Sequence, residues 1–142
     1  MALNKHIYST INHTADLGIL VYGRNMADLF ENAATAMMEI LLEPRRLEET
    51  DELSISVKAE DLNDLMVRWL SEILYLFMGE RRVVTRATLK SIGPSNLDAT
   101  LHVATYNPDE QEVRNEIKAV TYHQIDVSPK GTEWQAKIFF DV

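Results

Sequence analysis

The sequence contains no cysteine among its 142 residues. This absence excludes disulfides, thiolate metal sites, cysteine nucleophiles and iron–sulfur clusters together, and it favours a reducing compartment. No stretch approaches the roughly 20 apolar residues of a membrane-spanning helix, and the first residues lack the apolar run of a signal peptide. The sequence therefore predicts a cytoplasmic protein with no membrane contact.

The common catalytic signatures are also absent. There is no Walker loop, no glycine-rich dinucleotide motif, no nucleophile elbow and no His-Glu-x-x-His metalloprotease motif. We therefore assign no catalytic residue, and an autonomous enzyme of a common class is disfavoured.

Basic residues are outnumbered, 14 against 22 acidic, and the net charge is −8. A field of this sign repels phosphate backbones, so direct binding of nucleic acid is not expected. It favours hard cations or a basic protein partner, although the same charge also serves solubility alone.

The remaining composition is that of an ordinary globular protein, with 46% apolar and 25% charged residues. A chain of this length is expected to fold as one domain, covering residues 1–142. No internal repeat or shift in composition indicates a second domain.

Two segments have the apolar spacing of amphipathic helices. The first covers residues 26–41, after Asn25 as the N-cap and before Pro44. The second covers apolar positions from 62 to 77, after Asp61 as the N-cap. Each helix has apolar residues on one side only, so each is predicted to pack against a sheet.

The strands are predicted from apolar runs, alternation and turn residues. They cover residues 17–22, 53–59, 83–92, 97–106, 117–127 and 133–142, with a mobile loop at 107–116. The predicted fold class is α/β in the α+β sense: a single two-layer domain with two helices on a largely antiparallel sheet of about six strands.

Candidate functional residues lie where these elements begin and end. His13 and Asp16 precede the first strand, and Asp141 stands beside Val142 and its terminal carboxylate. Neighbouring anionic groups are costly unless they are solvated, countered by a basic side chain or neutralised by a cation. The alternatives are a turn or capping carboxylate at Asp16 and a solvated chain end at Asp141.

A further segment, residues 118–123, alternates in the manner of a strand. Lys118, Val120 and Tyr122 are predicted to share one face, and the opposite face carries His123. Lys118 either serves a functional site or balances nearby acid.

Taken together, several ordered motifs resemble the archease family along nearly the whole chain. They are His-Thr-Ala-Asp-Leu-Gly-Ile at 13–19, Leu-Phe-Glu-Asn-Ala-Ala at 29–34, Asp-Leu at 61–62 with Trp-Leu-Ser-Glu-Ile-Leu-Tyr at 69–75, Ile-Lys-Ala-Val-Thr-Tyr-His at 117–123 and Phe-Asp-Val at 140–142.

The resemblance implies a small cytoplasmic protein that binds a divalent cation and assists an RtcB-type RNA ligase, the enzyme that seals cleaved tRNA and other broken RNA. The helper would promote GTP-dependent guanylylation of the ligase and its multiple turnover. The loop at 107–116 lacks a histidine that relatives often carry there.

By matching positions, the resemblance implies that Asp16 and Asp141 are metal ligands, with a main-chain or terminal oxygen of Val142 beside them. It leaves His13, Lys118 and His123 as possible functional residues without assigned roles. Such an all-oxygen set suits Ca²⁺, with Mg²⁺ or Mn²⁺ as alternatives, and argues against zinc.

Two other function classes stay open. One is a stand-alone metal-dependent phosphoester hydrolase, in which the same carboxylates hold the ion and His13 or His123 acts as the base. The other is a chaperone-like module that binds non-native protein or RNA-modifying enzymes through an exposed apolar surface.

Overall fold

The computed structural model describes residues 7–11, 16–43 and 47–142. Its two helices are α1 (Met26–Leu41) and α2 (Leu62–Glu80). Its strands are β1 (Tyr8–Ile11), β2 (Leu17–Gly23), β3 (Asp51–Lys58), β4 (Arg82–Ile92), β5 (Asn96–Thr105), β6 (Ala119–Val120), β7 (Asp126–Lys130) and β8 (Glu133–Asp141).

Both helices begin at the predicted caps. The Asn25 side chain accepts a hydrogen bond from the Asp28 N–H at 2.8 Å, and Asp61 accepts one from the Asp64 N–H at 2.8 Å. These bonds satisfy N–H groups that have no partner inside the helix. At its other end, α2 stops at Arg81, whose left-handed backbone (φ 57°) cannot continue the helix.

The strands form two sheets rather than the single sheet of about six that the sequence predicts. One has the order β1-β2-β8-β6, with β7 also paired to β8, and the other has the order β3-β5-β4. Every pairing among the described strands is antiparallel, so the predicted α+β class is confirmed. Alternation shows which face of a strand is buried, but it does not show which strands pair.

The predicted strand at 117–127 is also interrupted. Only β6 and β7 are extended, and between them Gln124 has a positive φ of 52° while the Ile125 N–H bonds to the Tyr122 carbonyl. The polar loop at 107–116 is attached to the end of α1, because the Asn115 side chain donates to the Ile40 carbonyl at 2.8 Å. Its polar composition alone predicted a mobile loop.

The core lies between the helices and the sheets. Helix α1 contacts β2, β8 and β4, and α2 contacts β3, β4, β6 and β7, so the helices join the two sheets. Trp69 is fully buried, and its indole N–H donates to the Phe30 carbonyl at 2.9 Å, which links α2 to α1. Neither helix in the described ranges is long and apolar enough to cross a membrane.

Candidate functional site

The register of β2 and β8 brings Asp16 and Asp141 to the same end of the sheet. Leu17 lies opposite Phe140 in the last pair of this antiparallel ladder, and Asp16 and Asp141 are the next residues beyond it on the two sides. Asp16 is a bend residue just before β2 and Asp141 is the last residue of β8, so both carboxylates lie beside this end of the ladder. Asp16 is half-buried and Asp141 is exposed.

Strand β6 borders Asp141 on its other side. Ala119 lies opposite Asp141, and the Lys118 N–H donates to the Asp141 carbonyl at 2.7 Å. The Lys118 side chain is exposed, and Val142 follows Asp141 with 45% of its surface accessible. We call this group, Asp16, Lys118, Asp141 and Val142, the sheet tip.

His123 is connected to the sheet tip through Phe139, which precedes Asp141 by two residues. The His123 and Phe139 rings pack edge to face, with centroids 5.6 Å apart and an interplanar angle of 82°. The His123 N–H also bonds to the Thr121 hydroxyl. Of the predicted site residues, His13 alone lies outside the described residues.

The predicted faces of Val120, Tyr122 and His123 agree with these contacts, although β6 itself ends at Val120. Val120 is buried in the core, and the Tyr122 hydroxyl reaches α2. The His123 ring lies on the opposite, outer face of the sheet with the Phe139 ring, and the Thr121 hydroxyl donates to the Phe139 carbonyl. The segment therefore connects the helix side of the sheet to its outer face, next to the sheet tip.

Asp64, which the sequence reading missed, fixes this segment to α2. The Tyr122 hydroxyl donates to Asp64 Oδ1 at 2.6 Å, while the Glu60 N–H and Arg68 Nε each donate to Oδ2 at 2.9 Å. The bond from Tyr122, followed by those from Glu60 and Arg68, holds the pKa of Asp64 below its usual value although desolvation opposes this. A carboxylate in the first turn of a helix is ordinary, so the sequence carries no sign of the contact with Tyr122.

The oxygen atoms that the sheet tip offers as ligands are of the type that suits a hard divalent cation. They are carboxylate and main-chain oxygens, the ligand type that Ca²⁺, Mg²⁺ and Mn²⁺ prefer. Across the described part of the chain, no basic side chain forms an ion pair with Asp16 or Asp141. Within residues 7–11, 16–43 and 47–142, no group of three or more His, Cys, Asp or Glu residues could hold a metal ion. An ion at the sheet tip would therefore also need main-chain oxygens, water or a partner's groups.

Comparison with known proteins identifies the family. Residues 8–142 match the model of the Archease protein family (MTH1598/TM1083). The chain belongs to the archease family. The resemblance seen in the sequence motifs is thereby confirmed.

Relatives in this family match nearly end to end. Protein archease of Thermoplasma volcanium is 36% identical over 138 residues, covering 95% of this chain and 98% of that protein. Protein archease of Methanosarcina mazei is 32% identical over 139 residues, covering 95% of each.

Solved structures share the fold of this archease-family chain. The solution structure of Methanobacterium thermoautotrophicum protein 1598 has a TM-score of 0.75 and 26% identity, covering 96% of this chain and 99% of that one. The crystal structure of an archease, described as a possible chaperone (TM1083), from Thermotoga maritima has a TM-score of 0.67 and 24% identity, covering 94% and 96%. The second likeness is informative about the fold alone.

Proposed function

We propose that this chain is a cytoplasmic, metal-binding accessory factor that activates an RtcB-type RNA ligase. It promotes GTP-dependent guanylylation and multiple turnover of the ligase in tRNA splicing and RNA repair, and it does not itself join RNA. Membership of the archease family supports this proposal. The structural observation that carries it is the β2–β8 register, whose last pair, Leu17–Phe140, leaves Asp16 and Asp141 just beyond the same end of the ladder.

The metal in this proposal is held by the Asp16 and Asp141 carboxylates and a main-chain oxygen of Val142. Ca²⁺ is the expected ion, with Mg²⁺ or Mn²⁺ as alternatives. Such an ion supplies positive charge between two carboxylates that otherwise repel each other, together with coordination positions open to a partner's oxygen atoms. Lys118 and His123 flank this site, and we expect them to contact the ligase.

The charge of the protein supports a protein partner over RNA. A net charge of −8 repels RNA but attracts a basic, RNA-binding enzyme and speeds the encounter with it. We therefore expect the sheet tip to dock at the active site of the ligase without touching RNA.

The test mixes a limiting amount of the ligase from the same organism with cleaved tRNA, GTP and this protein. We expect many joining events per ligase with the protein present and about one without it. Asp16→Asn and Asp141→Asn should lower ligase guanylylation and joining by about tenfold or more, because each removes a ligand charge. The measurements are labelled-GTP transfer to the ligase and joined RNA per ligase.

Glu133→Gln is the matched control, because Glu133 is exposed on the same strand at the end far from the sheet tip. It removes the same charge and should leave activation unchanged. Full activation by both tip variants would contradict the proposal. Chelator-sensitive turnover of model phosphoesters by the protein alone would favour a hydrolase. Suppression of aggregation that does not depend on Asp16 or Asp141 would favour a chaperone-like module.

A further inference from the structure

Phe139 is a large buried side chain on the outer face of the five-stranded sheet. Only 2% of its surface is exposed, yet it lies outside the main core cluster, to which its neighbours Ile138 and Phe140 belong. Alternation along β8 points Ile138 and Phe140 towards the helices and Phe139, like Asp141, towards the outer face. An aromatic ring is therefore buried on the same face as the sheet tip.

The ring of Phe139 lies over Gly18, its partner across the β2–β8 pair. A Cβ atom added to Gly18 would lie 2.9 Å from Phe139 Cε1 and 3.1 Å from both Cε2 and Cζ. Gly18 has no positive φ that would itself require glycine. The missing side chain at position 18 therefore makes room for the ring.

This contact occupies the row next to the two carboxylates. Asp16 precedes Gly18 by two residues and Asp141 follows Phe139 by two, so the Gly18–Phe139 row is the row on this face nearest to the two carboxylates. Like charges close together across a strand pair are destabilising, so two carboxylates beside the end of the β2–β8 ladder favour separation of the two strand ends. A buried aromatic contact one row away opposes this separation.

We infer that the Gly18–Phe139 contact holds the ends of β2 and β8 together and so sets the spacing of the Asp16 and Asp141 carboxylates for a divalent cation. Phe139 is a positioning residue in this inference, because it acts through Asp141. It also orders His123, whose ring packs against it. The inference rests on the proposed metal site and adds to it the residues that shape it.

The test titrates the folded protein with Ca²⁺ by calorimetry. Gly18→Ala places a methyl group where the ring lies, and Phe139→Leu removes the ring atoms that cover Gly18. Each change should weaken Ca²⁺ binding about tenfold, in the range seen when supporting residues of metal sites are altered. Leu20→Ala is the matched control, since Leu20 faces outward on β2 one row further from the sheet tip, opposite Lys137, and it should leave the affinity unchanged.

The double variant Gly18→Ala/Phe139→Leu separates positioning from general damage. Leucine lacks the Cε and Cζ atoms that would collide with an alanine at position 18. The Ca²⁺ affinity of the double variant should therefore be no lower than that of whichever single variant binds Ca²⁺ less tightly. Independent effects would instead multiply the two losses of affinity, and that result would overturn the inference. Phe139→Leu should also move the NMR signals of the His123 ring protons, which Leu20→Ala should not.

Asp16→Asn distinguishes failure of this inference from failure of the proposed function. If the unaltered protein binds Ca²⁺ and Asp16→Asn abolishes binding, the metal site stands. Unchanged affinity in folded Gly18→Ala then overturns the positioning inference alone. If the unaltered protein binds no Ca²⁺, the metal part of the proposed function fails. Gly18→Ala decides the question even if Phe139→Leu does not fold, because it adds a methyl group and leaves no cavity.

Discussion

Asp64 joins the first turn of α2 to the segment that borders the sheet tip. It is buried, and it accepts hydrogen bonds from the Tyr122 hydroxyl, the Arg68 guanidinium and the Glu60 N–H. All three donors favour the charged form of the carboxyl group, so its pKa lies below the usual value. The stability of the protein should therefore depend on whether the Asp64 carboxyl group is protonated.

We predict that this carboxylate stabilises the fold at neutral pH and loses that effect in acid. Because its pKa is lower in the folded state, the contribution is complete above the unfolded-state pKa of about 3.9 and is lost as the pH falls through the lower folded-state pKa. Tyr122→Phe removes the first cause of the shift and should weaken this pH dependence. The measurement is the urea midpoint between neutral pH and acid, relative to Tyr75→Phe, which alters an exposed tyrosine elsewhere on α2. Equal pH profiles for the two variants would contradict the role of Tyr122.

At the same scale, some residues near the sheet tip could be proposed from the sequence and others could not. Asp16 and Asp141 were predicted because they stand beside the ends of apolar strands and match family motifs. Phe139 and Gly18 were not, because a phenylalanine within an apolar strand is expected to point into the core. Only the register places Phe139 opposite Gly18, on the outer face. Positions separated by about 120 residues in sequence carry no local sign of such a contact.

At the scale of secondary structure, α2 is the element that holds the molecule together. It contacts both sheets and α1, and Trp69 lies fully buried at its centre with its indole N–H bonded to α1. Such a residue combines a large apolar volume with a satisfied polar group. Removing it should affect the packing of both sheets.

We predict that Trp69→Ala lowers the free energy of unfolding by about 3–5 kcal/mol, the range for large aromatic side chains removed from cores. Trp134→Ala is the matched control, because Trp134 is only partly buried at the β7–β8 hairpin, opposite Pro129. Its cost should be clearly smaller. Urea unfolding followed by circular dichroism measures both variants. Similar losses of stability would show that α2 does not have the central role described here.

The two helices were predicted closely because their caps and apolar spacing are local signals. Asn25 and Asp61 both cap as expected. The sheets were predicted less well, since strand order depends on contacts distant in sequence. The four-residue β1 gave no usable alternation, and the left-handed turn at Gln124 divides what looked like one strand. The result is two sheets in place of one.

For the protein as a whole, the excess of acidic residues affects association with a partner more than it affects folding. The net charge of −8 acts over roughly a Debye length, about 10 Å at 0.1 M salt. Exposed acidic residues occur away from the sheet tip as well as at it, for example Glu133 at the opposite end of β8. The electrostatic field therefore arises from charges across the protein, whereas metal binding in our proposal depends on the sheet tip alone.

Because the charge effect is distributed and the proposed metal site is local, we predict that salt and a change at the metal site alter ligase activation in different ways. Raising the salt concentration from about 0.05 M to about 0.5 M should increase the amount of protein needed for half-maximal activation by tenfold or more, because screening slows the encounter of an acidic helper with a basic enzyme. Asp16→Asn should instead lower the maximal activation and leave the salt dependence nearly unchanged, since it removes one charge from a net of −8. Titrations of the two proteins at both salt concentrations measure both quantities. If the half-maximal concentration did not change with salt, electrostatic steering would be contradicted. If a high concentration of Asp16→Asn restored full activation, Asp16 would act in docking rather than in the activating step.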